Sequence, residues 1–248
     1  MSDYNVFSLF YDAFTDDVNY PERAKYILSL FEKFDRRPSL MLDLACGTGN
    51  FSVEFANEGI EVIGVDISED MLGVAQEKNA ELEKPVMYIC QPAEELELFG
   101  TVDGAVCMLD SLNHITDYDG FKRAIARTAL FLEEGRLFIF DLNTPYQHRE
   151  ILKDAGFKIK KDKVHCVWSN YYSPENNTVK ICLDFTVKKS LFSREYYSEE
   201  FYERTFSDEE INEALTEAGL VTVAVYGENS FEAPKENSQR NIYITRRI

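Results

Sequence analysis

Two apolar stretches, at residues 40–44 and 61–66, constrain the fold of this chain most. Each resembles a buried strand, and each carries an aspartate at or near its end. A Gly47-Thr48-Gly49 turn joins the first stretch to a helical pattern that begins near Asn50, and glycine is needed where such a turn approaches a ligand. Asp66 follows Gly49 at close to the spacing at which α/β nucleotide sites place an acid on ribose hydroxyls. The pair therefore predicts an adenosine-binding βαβ unit.

The residues around the turn favour one adenosine cofactor over another. The dinucleotide pattern GxGxxG fits only loosely, because Ser52 stands where the third glycine or alanine belongs. Asp43 would repel a pyrophosphate but attract a cation. The acid therefore suits an adenosine ligand that carries positive charge better than one that carries phosphates. The alternative is that the glycines only shape a turn.

Two longer strings carry a family resemblance. Leu42-Asp43-Leu44-Ala45-Cys46-Gly47-Thr48-Gly49 and Val62-Ile63-Gly64-Val65-Asp66-Ile67-Ser68 closely resemble the first motif and the following strand of class I S-adenosylmethionine-dependent methyltransferases. Asp110-Ser111-Leu112-Asn113 and Asn143-Thr144-Pro145-Tyr146 are similar to segments of a group of small bacterial members. The resemblance covers residues 38–145 and 206–248. It implies a transferase that converts S-adenosyl-L-methionine to S-adenosyl-L-homocysteine, and it says little about the methyl acceptor.

The resemblance also implies which residues hold the cofactor. Asp66 is expected to accept both ribose hydroxyls, and Ile67 and Met71 to pack on the adenine. The family's usual acid after strand three is replaced by Pro92, which has neither a side-chain acceptor nor an N–H, so Gln91 or a backbone carbonyl is expected to take its place. The remaining candidate cofactor contacts are Asp43, Ala45, Gly47, Asn50, Ala93 and Asp110.

Methyl transfer is an in-line displacement from a good leaving group, so positioning and exclusion of water can supply most of the acceleration. A general base is needed only if the acceptor arrives protonated. Asp110 and His114 follow strand four, where the carboxyl ends of a parallel sheet meet, and they are candidate catalytic residues together with Tyr11. His114 is equally compatible with capping a loop. Tyr20, Tyr146 and Trp168 are candidate acceptor contacts, and no metal is expected.

Alternation of strands and helices predicts an α/β fold, a Rossmann-like doubly wound methyltransferase sheet of seven strands. We expect an N-terminal cap segment at residues 1–35, a core at 36–159 and its completion at 206–248. The aromatic-rich, alternating stretch at 160–205 predicts an antiparallel β insertion of about three strands, which would act as a lid over the acceptor.

Composition limits the partners of the chain. A net charge of -18 disfavours nucleic acid, and a solvated turn explains the one dense basic cluster, at Lys158, Lys160, Lys161 and Lys163. Five cysteines without a CxxC pair, and no apolar stretch near the ~20 residues of a membrane span, predict a cytoplasmic protein with reduced thiols. We therefore expect a small-molecule methyltransferase, as a monomer or a homodimer. The alternatives are an RNA or protein methyltransferase and a non-catalytic adenosyl-ligand-binding protein.

Overall fold

The main sheet of the computed structural model, which describes residues 8, 10–190 and 192–248, has seven strands. In chain order they are β1 (Leu40–Leu44), β2 (Glu61–Asp66), β3 (Met87–Cys90), β4 (Gly104–Cys107), β5 (Leu137–Asn143), β10 (Leu220–Gly227) and β11 (Arg240–Arg247). Their spatial order is β10-β11-β5-β4-β1-β2-β3, and β11 runs antiparallel to both of its neighbours. The predicted seven-stranded Rossmann-like sheet with its terminal hairpin is confirmed.

Helices cover both faces of this sheet. They are α1 (Tyr11–Phe14), α2 (Tyr20–Phe34), α3 (Asn50–Asn57), α4 (Glu69–Lys78), α5 (Tyr118–Phe131) and α6 (Asp208–Glu217). Strand β5 is buried along its whole length: Phe138 and Phe140 pack in the core formed with α5 and α6, and Leu137 and Ile139 in the core formed with α2 and α3. Strands buried on both faces are typical of a doubly wound α/β fold.

Serine side chains cap the first turns of α4 and α6. The Ser68 hydroxyl accepts from the backbone N–H of Met71, and Ser207 and Glu210 form a reciprocal capping box. Helix α4 ends at Lys78 and continues as a 3₁₀ turn at Asn79–Glu81. Among the described residues, no helix combines the length and apolar character needed to cross a membrane.

The insertion between β5 and α6 is a separate antiparallel sheet. Its strands are β6 (Gly156–Lys161), β7 (Val164–Ser173), β8 (Thr178–Lys188) and β9 (Arg194–Arg204), paired in that order. The sequence predicted about three strands beginning near residue 160, whereas a fourth strand begins at Gly156. In strand β6 lysines alternate with Phe157 and Ile159, and such a lysine-rich stretch is equally typical of a solvated turn.

The insertion and the N-terminal cap segment pack on each other. One face of the small sheet buries an apolar row on β8 that includes Ile181 and Phe185, and the ring of Phe10 lies 5.2 Å from that of Phe185. Strand β9 is tied back to the core, where the side-chain amide of Asn113 donates to the carbonyl of Arg204 (2.8 Å). Together these elements cover the carboxyl ends of the parallel strands.

Candidate active site

Two adjoining cavities lie at the carboxyl ends of β1, β2 and β4. The larger has a volume of about 550 Å³ and the smaller of about 30 Å³. Tyr11, Ala45, Gly47, Leu109 and Ser111 line both. A ligand longer than either cavity can therefore extend from one into the other.

The turn after β1 brings the backbone to this junction. Ala45, Gly47 and Gly49 all have left-handed backbone conformations, with φ of +55°, +56° and +74°. At Gly49 a side chain is also excluded by space, because a Cβ there would collide with the hydroxyl of Tyr88. Ala45 has no such freedom and bears the strain of a left-handed residue, about 1–2 kcal/mol.

Asp66 holds the turn against the start of α4. Its Oδ2 accepts from the backbone N–H of Gly47 (2.8 Å) and its Oδ1 from that of Ser68 (2.9 Å). It also lines the larger cavity. A ligand hydroxyl that reaches this carboxylate therefore meets an acceptor already fixed in orientation.

Asp43 is a buried acid that lines the smaller cavity. Only 2% of its surface is exposed, and its Oδ2 accepts from the hydroxyl of Ser52 (2.5 Å). Burial raises its pKa to about 7, with Asp66 adding repulsion, although the hydrogen bond from Ser52 acts the other way. Within the described chain Asp43 forms no ion pair, so this pocket fits a cationic ligand group better than an anionic one.

The loop after β4 is held in a strained conformation by an acid that the sequence analysis did not single out. Leu109 and Asp110 both have left-handed backbones, with φ of +58° and +53°. Asp141, 1% exposed near the end of β5, accepts both of their backbone N–H groups, at 3.0 and 2.5 Å. Asp141 lies within an apolar strand, as Asp43 and Asp66 do, and this pattern in the sequence could have indicated it.

Asp110 does not line either cavity, although the sequence predicted it as a catalytic and cofactor residue. Its Oδ1 accepts from Arg240 (2.5 Å) and its Oδ2 from the amide of Asn143 (2.8 Å). Burial alone would lower the pKa of Arg240, but the carboxylates of Asp110 and Asp141 raise it, so this guanidinium stays charged. The contacts of Asp110 thus position the loop.

His114 does line the larger cavity, and behind it lies a second acid that the sequence analysis missed. Glu203 of β9 is 4% exposed, with Oε1 3.9 Å from Nε2 of His114 and Oε2 3.1 Å from Nε2 of His148. Burial opposes ionisation of Glu203, but His148 and His114 outweigh it and lower its pKa. A buried carboxylate of this kind can balance a positive charge that forms on His114.

Asp110, His114 and Glu203 offer donor atoms within 4.8 Å of one another. Both oxygens of Asp110 already accept hydrogen bonds, one of them from the Arg240 guanidinium. This group therefore suits the balancing of a proton better than the binding of a metal ion.

The cap segment closes the site from the other side. Tyr11 lines both cavities, and burial together with Tyr20 raises its pKa well above the usual value. The next residue, Asp12, accepts from the Thr48 hydroxyl (2.6 Å) and the Asn50 amide (2.8 Å) and pairs with Lys78 (2.8 Å). These bonds fasten α1 to the glycine turn, a contact that connects segments far apart in the sequence.

At the far end of the larger cavity the side-chain amide of Gln91 is already engaged. It donates to the carbonyl of Glu97 and accepts from the N–H of the same residue, both at 3.2 Å. Glu94, which the sequence analysis did not assign, lines the cavity next to Pro92 and Ala93. Its carboxylate is a side-chain acceptor of the kind that Pro92 lacks.

The predicted site residues divide into two groups. Tyr146 and Trp168 line neither cavity: the Trp168 indole donates to Asn170 (2.6 Å) and packs edge-on against Phe157, while Tyr146 precedes the π-helical turn Gln147–Leu152. With Asp110, they are the predicted site residues that lie outside both cavities. The other predicted residues that do line a cavity are Tyr11, Tyr20, Asp43, Ala45, Gly47, Asn50, Asp66, Ile67, Met71, Gln91, Ala93 and His114.

Similarity to known proteins agrees with this geometry. A family model described as a methyltransferase domain matches residues 41–135. A Geobacillus sp. (strain WCH70) protein named only as a candidate methyltransferase is 28% identical over 245 residues, 98% of this chain and 99% of its own. The dTDP-3-amino-3,4,6-trideoxy-alpha-D-glucopyranose N,N-dimethyltransferase of Streptomyces venezuelae is 25% identical over 221 residues, 87% of this chain and 89% of its own.

A solved structure extends the similarity to the whole fold. The crystal structure of an S-adenosylmethionine-dependent methyltransferase from Clostridium acetobutylicum is 28% identical, covers 98% of both chains and has a TM-score of 0.88. A match of that coverage includes the β insertion as well as the main sheet. The motif at the glycine turn, the sheet order and these relatives together support a class I S-adenosylmethionine-dependent methyltransferase.

Proposed function

We propose that this enzyme methylates a small-molecule acceptor, which it encloses between the cap segment and the β insertion. The observation that carries the proposal is the position of Tyr11, which lines both cavities at their junction. We call the part beside Asp43, Gly47, Asp66 and Met71 the cofactor end. The acceptor end is the part lined by His114, Ile115, Thr116, Phe201 and Tyr202.

The donors and acceptors at the cofactor end fit S-adenosylmethionine. Asp43 offers a carboxylate to its ammonium, Asp66 offers one to the ribose hydroxyls, and Met71 and Ile67 offer an apolar surface to the adenine. We assign Glu94 as the acceptor for the adenine amino group, because Gln91 is engaged with Glu97. No lysine or arginine of the described chain lines either cavity, so the pyrophosphate of a dinucleotide would have no cationic partner.

When bound, the cofactor supplies a methyl group on a sulfonium. Asp43 and Asp66 fix the two ends of the molecule, and Tyr11 excludes water from the junction where the methyl group would lie. His114, on the 3₁₀ turn Ser111–His114, is placed to take a proton from an acceptor that arrives protonated. Rate acceleration then comes mainly from alignment of donor and acceptor.

A small acceptor fits the enclosure of the site better than a macromolecule. The larger cavity holds about 550 Å³ for cofactor and acceptor together, within the range of sites for small ligands. The net charge of -18 argues against a polyanion such as RNA. The relative from Streptomyces venezuelae is named for a sugar substrate, which supports the same size class.

The proposal is tested by labelling the natural acceptor. Enzyme and radiolabelled S-adenosylmethionine are incubated with separated small-molecule, RNA and protein fractions of the source cell, with His114→Asn enzyme as the control. We expect label to accumulate in the small-molecule fraction. The His114→Asn enzyme should transfer less label to that fraction than the wild type does. Label that appears mainly in the RNA or protein fraction would refute the small-molecule assignment, while leaving methyl transfer itself intact.

A further inference from the structure

We propose that the acceptor enters this site as a small organic cation, an aliphatic amine in its ammonium form, and that the buried carboxylate of Glu203 is the main source of this preference. The inference rests on the proposed function and narrows its substrate class. It depends on the charges around the acceptor end, on the ring surfaces there and on the neighbours of His114.

Charge around the two cavities is unbalanced towards the negative. Acids among the described lining residues are Asp43, Asp66, Glu94 and Glu200, and neither a lysine nor an arginine is among them. Arg240 is engaged with Asp110 behind the loop, and Glu200 at the rim pairs with Lys180 (2.6 Å). The cofactor brings one net positive charge, which the carboxylates of Asp43 and Asp66 already meet. A carboxylate or phosphate acceptor would therefore enter a field that repels it.

Glu203 extends that field to the acceptor end. Its Oε2 is bound by His148 and by the amide of Asn143 (3.0 Å), which leaves Oε1 directed towards His114 at 3.9 Å. A charge so well buried is screened little by salt or water. It acts on whatever lies against His114, which is the reacting position.

Ring surfaces add a second attraction for a cation. Phe201 lines the acceptor end, and its ring lies 5.1 Å from that of His114. Ammonium groups bind to aromatic faces through the ring quadrupole, whereas carboxylates are repelled by it. The same surface accepts the alkyl part of an amine.

An ammonium nitrogen must lose a proton before it can attack. We assign that proton to the imidazole of His114, and the imidazolium is then balanced by the Glu203 carboxylate. The nitrogen lone pair forms the new N–C bond as the C–S bond breaks. The electron pair of that bond stays on sulfur, which leaves as the neutral thioether of S-adenosylhomocysteine.

The test compares ligands that differ only in charge. Enzyme is first saturated with S-adenosylhomocysteine, whose binding is measured by calorimetry. 2-Phenylethylamine, 2-phenylethanol and 3-phenylpropionate are then titrated into this complex, together with the hexyl and cyclohexyl members of each class. The amines are expected to bind at least tenfold more tightly than their carboxylate counterparts. Amines that bind no better than the alcohols or carboxylates would overturn the inference.

Variants separate a field effect from loss of structure. Glu203→Gln should keep its affinity for S-adenosylhomocysteine and lose at least threefold of the amine preference. The control is Glu195→Gln, because Glu195 lies on the same strand but pairs with Lys189 away from the cavities. This variant should keep the affinity for S-adenosylhomocysteine and the preference for amines. An unchanged amine preference in Glu203→Gln would contradict the role of Glu203. If the wild type does not bind S-adenosylhomocysteine, the proposed function fails and this inference fails with it.

The proton transfer is tested with the amines that bind. The assay contains S-adenosylmethionine instead of S-adenosylhomocysteine, and mass spectrometry measures the N-methylated amine that forms. His114→Asn should lower kcat at least tenfold with little change in the affinity for S-adenosylhomocysteine. A kcat equal to that of the wild type would contradict the role of His114, and absence of any N-methylated product across the panel would count against the amine class.

Discussion

The cofactor end draws its side chains from one short stretch of chain, whereas the acceptor end draws them from segments far apart in the sequence. Asp43, Gly47 and Asp66 belong to two consecutive strands and the turn between them. At the acceptor end, His114 follows β4, while Phe201 and Glu203 come from the insertion. Local backbone geometry thus places the residues of the cofactor end, whereas packing of the insertion on the core places those of the acceptor end. Variants should therefore affect the two ends separately.

Asp43→Asn should give the largest effect at the cofactor end. The amide keeps the shape and can still accept from Ser52, but it removes the charge that we propose as the partner of the cofactor's ammonium. Affinity for S-adenosylmethionine should fall by about 3 kcal/mol, the upper range for hydrogen bonds to charged groups. The free protein should become more stable, because an unpaired buried charge is removed.

Calorimetry and thermal unfolding measure the two consequences, with Glu81→Gln on the exposed 3₁₀ turn as the control. The control should change neither quantity. An Asp43→Asn protein that binds the cofactor normally would place the ammonium elsewhere and would remove the reason for assigning the smaller cavity to the methionine group.

Asp141→Asn should be the matching change at the acceptor end. An amide offers one oxygen where the carboxylate accepts two backbone N–H groups and faces Arg240. The free energy of unfolding should fall by about 2 kcal/mol, as for a buried donor left unsatisfied. Acceptor methylation should fall further than cofactor affinity, because the loop that carries His114 loosens while the glycine turn does not.

The matched control is Asp119→Asn, an exposed acid in the first turn of α5. Chemical denaturation gives the free energy of unfolding, and labelling gives the methylation rate. If cofactor affinity falls as much as methylation, the two ends are coupled through this loop and the distinction between them is wrong.

The residues of the cofactor end could be predicted from the sequence more completely than those of the acceptor end. The glycine turn, Asp43 and Asp66 could be predicted because a strand, a turn and a helix place them through local geometry. Glu203 could not, since on an alternating strand it looks like any other acid, and only the packing of β9 on the core brings it to His114. The position of Trp168 could not be predicted for a related reason: an aromatic residue in a strand can face either side, and here it packs against the core of the insertion.

Affinity for the cofactor should depend on pH through Asp43. Its pKa in the folded free protein is raised to about 7 from an ordinary 3.8. In the unfolded chain the acid ionises at the lower value, so unfolding releases a proton between these two pH values. The free energy of unfolding should therefore fall as pH rises from about 4 to 7 and level off above 7.

Cofactor binding should show the opposite trend, because the ammonium requires the ionised acid. As pH falls below 7, affinity should drop by up to about tenfold per unit, about 1.4 kcal/mol. Calorimetry between pH 5.5 and 8.5 measures the profile. In Asp43→Asn this dependence should disappear, and a profile that survives the substitution would assign the titration to another group.

Ala45→Gly should give the smallest effect, and it should be an improvement at the cofactor end alone. Ala45 is left-handed at φ +55°, which costs an alanine about 1–2 kcal/mol. Glycine relieves that strain but adds about 0.4–1 kcal/mol of entropy to the unfolded chain. The net gain in stability should be about 0.5 kcal/mol, with cofactor affinity equal or slightly higher. Thermal unfolding and calorimetry measure both, with Ala56→Gly inside α3 as a control that should only destabilise. A loss of affinity in Ala45→Gly would mean that the methyl group of Ala45 contacts the cofactor, so that this side chain contributes to the cofactor end beyond shaping the turn.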